Sequence, residues 1–293
     1  IADIPYFGKV SYDYDAKSGW FHGSDGSQMT SYDLADACSD NSDVSIQVLI
    51  PREASTNYNK LKSAPNYPPS RLAEAKSFTD AKKADAVLRD DTGAVWKTLT
   101  DAQKQALRDY TGSSFYSINH SLRKGKGTPE NASRAADITN AISKCKTKED
   151  MWLYRGVDFE ALPNMFGIKP KEFSKEKVGF LIGKAGKDDG FMSCGTTTTT
   201  GYGDGSDVSL KIFVPKGSEA MYAEPFAKFG SNPDSNHWNG ESHQTSFSSE
   251  METILQRGSH FQCTKASYDE SKQKYILEIA VVSQEYSILD WQT

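Results

Sequence analysis

Two glutamates one residue apart, Glu250 and Glu252, stand immediately before the apolar run Thr253-Ile254-Leu255. If that run is a strand, residues i and i+2 project to one face, and both carboxylates point the same way, where a pair can act together. Most pairs spaced like this are solvated glutamates on a wet strand. Here Ile254 shares their face, and the Gly, Ser and Thr-rich stretch from 240 to 249, with its aromatic Phe247, can overhang them. Arg155 closes the apolar run Leu153-Tyr154 and is followed at once by Gly156. That order puts a planar fork of donors at the rim of a sheet, where a phosphate or carboxylate could be gripped by two prongs. Taken alone, a structural salt bridge explains the arginine equally well. In the strand-like piece Gly190-Phe191-Met192-Ser193-Cys194-Gly195 the Ser193 hydroxyl could orient a neighbouring carboxylate, or be an ordinary polar strand residue. Tyr110, Phe115 and Asn119 fall on or beside a helix, where aromatics at such spacing usually serve the core.

The elements that must carry these residues are legible in part. Ser70 reads as the N-cap of a helix ending near Arg89, with Asp91-Thr92-Gly93 as the break after it. Thr100-Asp101-Ala102-Gln103 has capping-box form and is followed by the apolar stripe Ala106, Leu107 and Tyr110. A further helical pattern runs from Asn131 to Cys145. The period then changes, and Met151–Tyr154, Ser209–Val214, Met251–Leu255 and Tyr275–Val282 read as strands. Helices first and strands afterwards predict an α+β fold with an antiparallel sheet core. Residues 1–85 differ in texture: a Tyr, Asp and Gly-rich opening, one strand-like run from Val44 to Ile50, and a polar, Pro-bearing stretch from Pro51 to Pro69. They read as an accessory segment ahead of a domain at 86–293.

Composition narrows the classes. The 293 residues are 37% hydrophobic, 11% aromatic and 25% charged, the balance of a globular protein and too aromatic for a wholly disordered one. A net charge of -5 supplies no broad basic surface, so nucleic acid is not the expected partner. Apolar stretches such as Ile279 to Val282 are far below the roughly 18 residues that span a bilayer, so no membrane span is expected. Cys38, Cys145, Cys194 and Cys263 show no metal-finger spacing and read as buried free thiols, and the histidines form no H-E-x-x-H, so no metal is expected. The chain begins at Ile1 without a charged-then-apolar leader and reads as a fragment or processed form, which leaves localisation undefined, secretion or delivery into a host cell included.

Taken in order, an aromatic helix with Asn, a strand with Arg, an aromatic-x-Ser strand and an E-x-E resemble the bacterial ADP-ribosyltransferase exoenzyme family over roughly Trp96 to Val282. The resemblance is to its Arg-Ser-Glu class, similar to the arginine-modifying toxins. It implies an ADP-ribosyltransferase-like sheet core with N-terminal helices packed around an NAD cleft. It further implies that Arg155, Gly156, Tyr110, Phe115, Asn119 and Phe191 contact NAD, that Arg155, Ser193, Glu250 and Glu252 form the catalytic set, and that Phe247 meets the target protein. Glu250 stands where arginine-modifying members have glutamate and asparagine- or nucleobase-modifying members have glutamine. The family's S-T-S reads here as Ser193-Cys194-Gly195, Gly156 replaces a second arginine that some toxins carry, and 196–207 contains no arginine.

The chemistry that the resemblance implies is the transfer of ADP-ribose from NAD, as substrate, to an arginine of a target protein. Two other readings fit the same residues. One is a phage or mobile-element protein with an appended domain of this type, since the long segment from Ala223 to Ser249, with Phe226 and Trp238, is similar to minor capsid proteins. The other is an NAD glycohydrolase. On any of these readings residues 1–85 could meet a transport or capsid partner.

Overall fold

The computed structural model describes five short strands between residues 2 and 29, and residues 67–169, 174–199, 205–228, 230 and 251–287. The chain divides into two compact units, Ile1–Ser63 and Ala64–Thr293. The described residues 67–85, expected with the accessory segment, therefore group with the larger unit. In the first unit β1 (Ala2–Ile4) pairs antiparallel with β2 (Gly8–Val10), and β3 (Tyr12–Asp15), β4 (Trp20–Gly23) and β5 (Gln28–Met29) form a three-stranded antiparallel sheet. The strand expected at Val44–Ile50 lies outside the described residues.

The second unit opens with helices. The single helix expected from Ser70 is two: α1 (Pro69–Glu74), which starts after Pro68, and α2 (Ala81–Trp96), capped by Asp80, whose side chain accepts from the Lys83 N–H at 2.9 Å. Between them Lys76 bridges Met151 and Phe78 bridges Thr197, so that stretch is held extended by the sheet. The expected break at 91–93 does not occur. A glycine inside a helix costs only about 1 kcal/mol against alanine, and α2 recovers it beyond Gly93 by stacking Trp96 on Phe226 with ring centres 4.4 Å apart.

The capping box forms as its residues dictate: Thr100 Oγ1 accepts from the Gln103 N–H and Gln103 Oε1 accepts from the Thr100 N–H, each at 3.2 Å, opening α3 (Asp101–Asp109). One π-helical turn, Tyr110–Ser114, then leads into α4 (Phe115–Lys124). The helix expected at 131–145 is α5 (Pro129–Ile142), with Thr128 as its cap.

Strands follow: β6 (Met151–Val157), β7 (Ala185–Asp188), β8 (Met192–Gly195), β9 (Val208–Val214), β10 (Ala220–Tyr222), β11 (Glu252–Leu255), β12 (Ser259–Asp269) and β13 (Lys274–Gln284), with the short helix α6 (Ala161–Phe166) after β6. They make one sheet in the order β10-β11-β8-β6-β9-β13-β12-β7. The α+β expectation stands, with one correction: β9 and β13 pair parallel, so the sheet is mixed.

Alternation along the strands sorts two cores. Ile254 and Met221 face one side with Leu107, Tyr110, Ile118, Ile138 and Phe191, so α3, α4 and α5 cover that face. Met192, Cys194, Tyr222 and Leu255 face the other, in the larger core with Leu153, Ile212, Phe261 and Ile279. Cys145, Cys194 and Cys263 are free and buried, and burial pushes each thiol up to about 12.

Candidate functional site

Glu252 is the first residue of β11 and is 4% exposed. Its register partner on β8 is Gly195, and Ile254 pairs with Ser193. Directly opposed residues of an antiparallel pair share a face, and so do residues two apart on one strand. Glu252 and Ser193 therefore project to the same side, the side that Tyr110 covers. Met251, just before the strand, has φ 41°, and Glu250 and Phe247 lie outside the described residues. The regular strand begins at Glu252, one residue after this left-handed turn, and the expected pairing of Glu250 with Glu252 falls outside the described residues.

Arg155 sits on β6, which meets β8 at a single paired position, Tyr154 with Gly195. Past that point the guanidinium takes over from the backbone, and Arg155 Nη1 donates to the Ser193 carbonyl at 2.5 Å. Among the described residues Arg155 has no ion-pair partner, so the salt bridge that would explain it structurally is absent there. Gly156, next on the strand, pairs with Ser209 of β9.

The serine is fixed from the other side by the helices. Tyr110 Oη lies 3.2 Å from Ser193 Oγ and 3.3 Å from the Phe191 carbonyl, and accepts from Asn119 Nδ2 at 3.1 Å. Burial is the main cause that raises the Tyr110 phenol to about 12; Glu252 adds to the rise, while Arg155 and the hydrogen bonds from Ser193 and Asn119 oppose it. Glu252 and Arg155 thus both act on one buried hydroxyl, which remains neutral and able to donate across the physiological range. Asn119 closes the arrangement: its Oδ1 accepts from the Phe191 N–H at 2.9 Å and its Nδ2 reaches the Phe191 carbonyl at 3.2 Å.

These contacts locate the expected NAD-side residues. Tyr110, Asn119 and Phe191 are 1%, 4% and 0% exposed, so they lie beneath the surface, tying α3 and α4 to β8, and offer little area to a ligand. Phe115 is exposed at the start of α4.

A second brace carries no local sequence signal. Arg123 Nε and Nη2 donate to Asp188 at 2.8 and 2.9 Å, and the same carboxylate accepts from the Gly190 N–H at 2.8 Å. A side chain at 190 would begin 2.9 Å from Asn119 Oδ1, which explains the glycine. Arg123 and Asp188 are 65 positions apart, so no local spacing could signal the pair. Among the described residues no cluster of His, Cys, Asp and Glu is arranged to hold a metal, and no helix is long and apolar enough to cross a membrane.

The model of the ADP-ribosyltransferase exoenzyme family matches residues 88–284. The chain belongs to that family. The match covers all the strands of the main sheet and the helices that brace Ser193. A protein named NAD(+)--arginine ADP-ribosyltransferase EFV, from Enterococcus faecalis, is 32% identical over 142 residues, which is 46% of this chain and 26% of that protein. The chain thus matches about a quarter of that relative's length. Among solved structures, the C3 exoenzyme of Clostridium limosum superimposes with TM-score 0.55 and 21% identity, over 71% of this chain and 97% of that one. C3stau2 of S. aureus, solved with NAD, gives 0.54 and 21% over 71% and 98%. BECa, an ADP-ribosylating toxin of C. perfringens solved with NADH, gives 0.54 and 20% over 71% and 50%. At these identities the superpositions speak for the fold, a mixed sheet with helices packed on it.

Proposed function

We propose that the protein is an NAD-dependent mono-ADP-ribosyltransferase that modifies an arginine of a target protein, with Arg155, Ser193 and Glu252 as its NAD-side set and Glu250 as the base for the acceptor. The observation that carries the reading is a buried carboxylate, Glu252, on the sheet face of Ser193, whose carbonyl is gripped by Arg155. The family match and the name of the Enterococcus faecalis relative support it.

The chemistry follows from the groups. When the bond between ribose C1′ and the nicotinamide nitrogen breaks, its electron pair returns to the ring, which leaves neutral and needs no acid. The ribose is left as an oxocarbenium-like centre. A fixed negative charge beside it, supplied by Glu252, stabilises that centre more than the ground state. Ser193 holds the carboxylate's surroundings in place, and the rest of the Arg155 fork is free to hold a diphosphate oxygen and keep the breaking bond aligned. A guanidinium has a pKa above about 12 and no lone pair ready to attack. As its nitrogen bonds to C1′ it must give up a proton, and Glu250 is the acceptor. Phe247, three residues ahead of Glu250, is the contact for the target.

Incubation with labelled NAD and a cell lysate, with the modified residue mapped by mass spectrometry, tests the reading. Label on arginine is expected. Glu252→Ala should remove transfer and NAD cleavage together, at a cost of about 3–5 kcal/mol in the barrier, or roughly 10²–10⁴-fold in rate. Full turnover in that variant would refute the assignment.

A further inference from the structure

We propose that Thr196 is a positioning residue that sets the direction of the Glu252 side chain by clamping the peptide group between Met251 and Glu252. The proposal rests on the reading of Glu252 given above. Thr196 follows β8 directly and is fully buried. Its N–H donates to the Met251 carbonyl at 2.9 Å, and its hydroxyl donates to the same oxygen. A carbonyl oxygen has two lone pairs, and this one residue engages both.

The hydroxyl also lies 2.7 Å from Thr253 Oγ1. Since its own proton is given to Met251, the proton in that contact comes from Thr253. A relay therefore runs from Thr253 through Thr196 to Met251. By strand alternation Thr253 faces the side of the sheet away from Glu252, so the clamp holds the strand from behind and leaves the reacting face clear.

The clamped peptide is the one that needs holding. Met251 adopts φ 41°, a left-handed conformation that side chains other than glycine rarely take without outside support. Because β11 begins at the next residue, the Met251 backbone determines which way the Glu252 carboxylate leaves the strand. Met251 is itself fully buried, with its sulfur 3.7 Å from Tyr222 Oη. On the other side of Glu252, the Ala223 N–H donates to the Glu252 carbonyl at 2.8 Å. The carbonyls before and after the carboxylate-bearing residue are both anchored, and Thr196 supplies the anchor on the strained side.

The test compares Thr196→Val and Thr196→Ser in the full chain with two readouts: steady-state release of nicotinamide from NAD, and backbone amide exchange of the peptide covering 251–256. Valine keeps the volume and the main-chain bond but removes the hydroxyl. We expect at least a roughly tenfold fall in kcat with KM for NAD changed by less than about twofold, together with faster exchange across 251–256. Serine restores the hydroxyl and should return both readouts to near wild type. The proposal is overturned if folded Thr196→Val keeps wild-type kcat and exchange, if Thr196→Ser is damaged as severely as the valine variant, or if the loss falls in KM. Should Thr196→Val not fold, Thr253→Val removes the relay's first hydroxyl and is expected to give the same pattern in weaker form; wild-type values there would likewise overturn it. NAD cleavage that survives Glu252→Ala would refute the role of Glu252 and leave the exchange comparison to decide the clamp.

Discussion

Tyr110→Phe deletes one oxygen from the centre of the brace. That oxygen contacts Asn119 Nδ2 at 3.1 Å, Ser193 Oγ at 3.2 Å and the Phe191 carbonyl at 3.3 Å, all of them long bonds. A phenol has one proton, so it donates to one of its two acceptors at a time while accepting from Asn119. A buried neutral hydrogen bond contributes about 1 kcal/mol net, and more is lost if a partner is stranded. Stranding is limited here, because Asn119 Nδ2 and the Phe191 carbonyl still have each other, and Ser193 is only half-buried. The variant should therefore lose about 1–2 kcal/mol, or about 2–8 °C of melting temperature for a unit of this size. The loss of catalysis should come through Ser193, which would be free to turn away from the Glu252 side. A double-mutant cycle with Ser193→Ala, read by nicotinamide release and by thermal melts, separates the two effects. We expect a coupling of about 0.5–1.5 kcal/mol between the sites in the rate. Strictly additive rate effects, or an unchanged melting temperature in Tyr110→Phe, would refute the claim that the phenol positions the serine.

Two further substitutions probe other parts of the molecule. Glu250→Gln should abolish transfer to arginine while sparing much of the slower cleavage of NAD by water, because only the acceptor needs a base; equal loss of both activities, measured on labelled NAD with and without an arginine analogue, would contradict the division of labour between the glutamates. The Arg71 guanidinium bonded to Asp150 at 2.6 and 2.9 Å, opposed by partial desolvation and helped by the Lys216 N–H, holds that carboxyl below the usual carboxylate range. A depressed folded pKa gives stability that is present above the unfolded value of about 3.9 and is lost as the pH falls through the lower folded value. Melting temperatures of Asp150→Asn should accordingly fall less steeply than those of wild type below about pH 4, and parallel curves would exclude the ion pair as a source of acid sensitivity.

What could be read without coordinates was what short-range chemistry decides. The Thr100–Gln103 box is a local exchange of hydrogen bonds, so it is fully written in adjacent residues. The strand expected at Ser209–Val214 is legible because its large and β-branched apolar residues recur at strand spacing, and it forms over Val208–Val214. The failures are tertiary. Nothing beside Gly93 announces that Phe226 waits to stack on Trp96 and carry α2 through the glycine. β12 gives no clear strand signal, because its sequence, SHFQCTKASYD, mixes serine, glutamine and lysine with few large apolar residues, and its place is set by pairing with β13 and β7. At the site, order and residue type single out Ser193 and Glu252, which the sheet places on one face, but an aromatic such as Phe191 looks the same in a sequence whether it faces a ligand or the core. The left-handed turn at Met251 carries no signature at all, since methionine is not a residue that favours it.

Cys194 is enclosed on the strand between Ser193 and Gly195, with its thiol held protonated by burial. A thiolate-seeking reagent can meet that sulfur only when the strand parts from its neighbours. The rate at which the sulfur is captured, at reagent concentrations high enough to trap every exposure, is then a direct clock for the breathing of the strand itself. A natural atom already sits where a spectroscopic probe would otherwise have to be engineered.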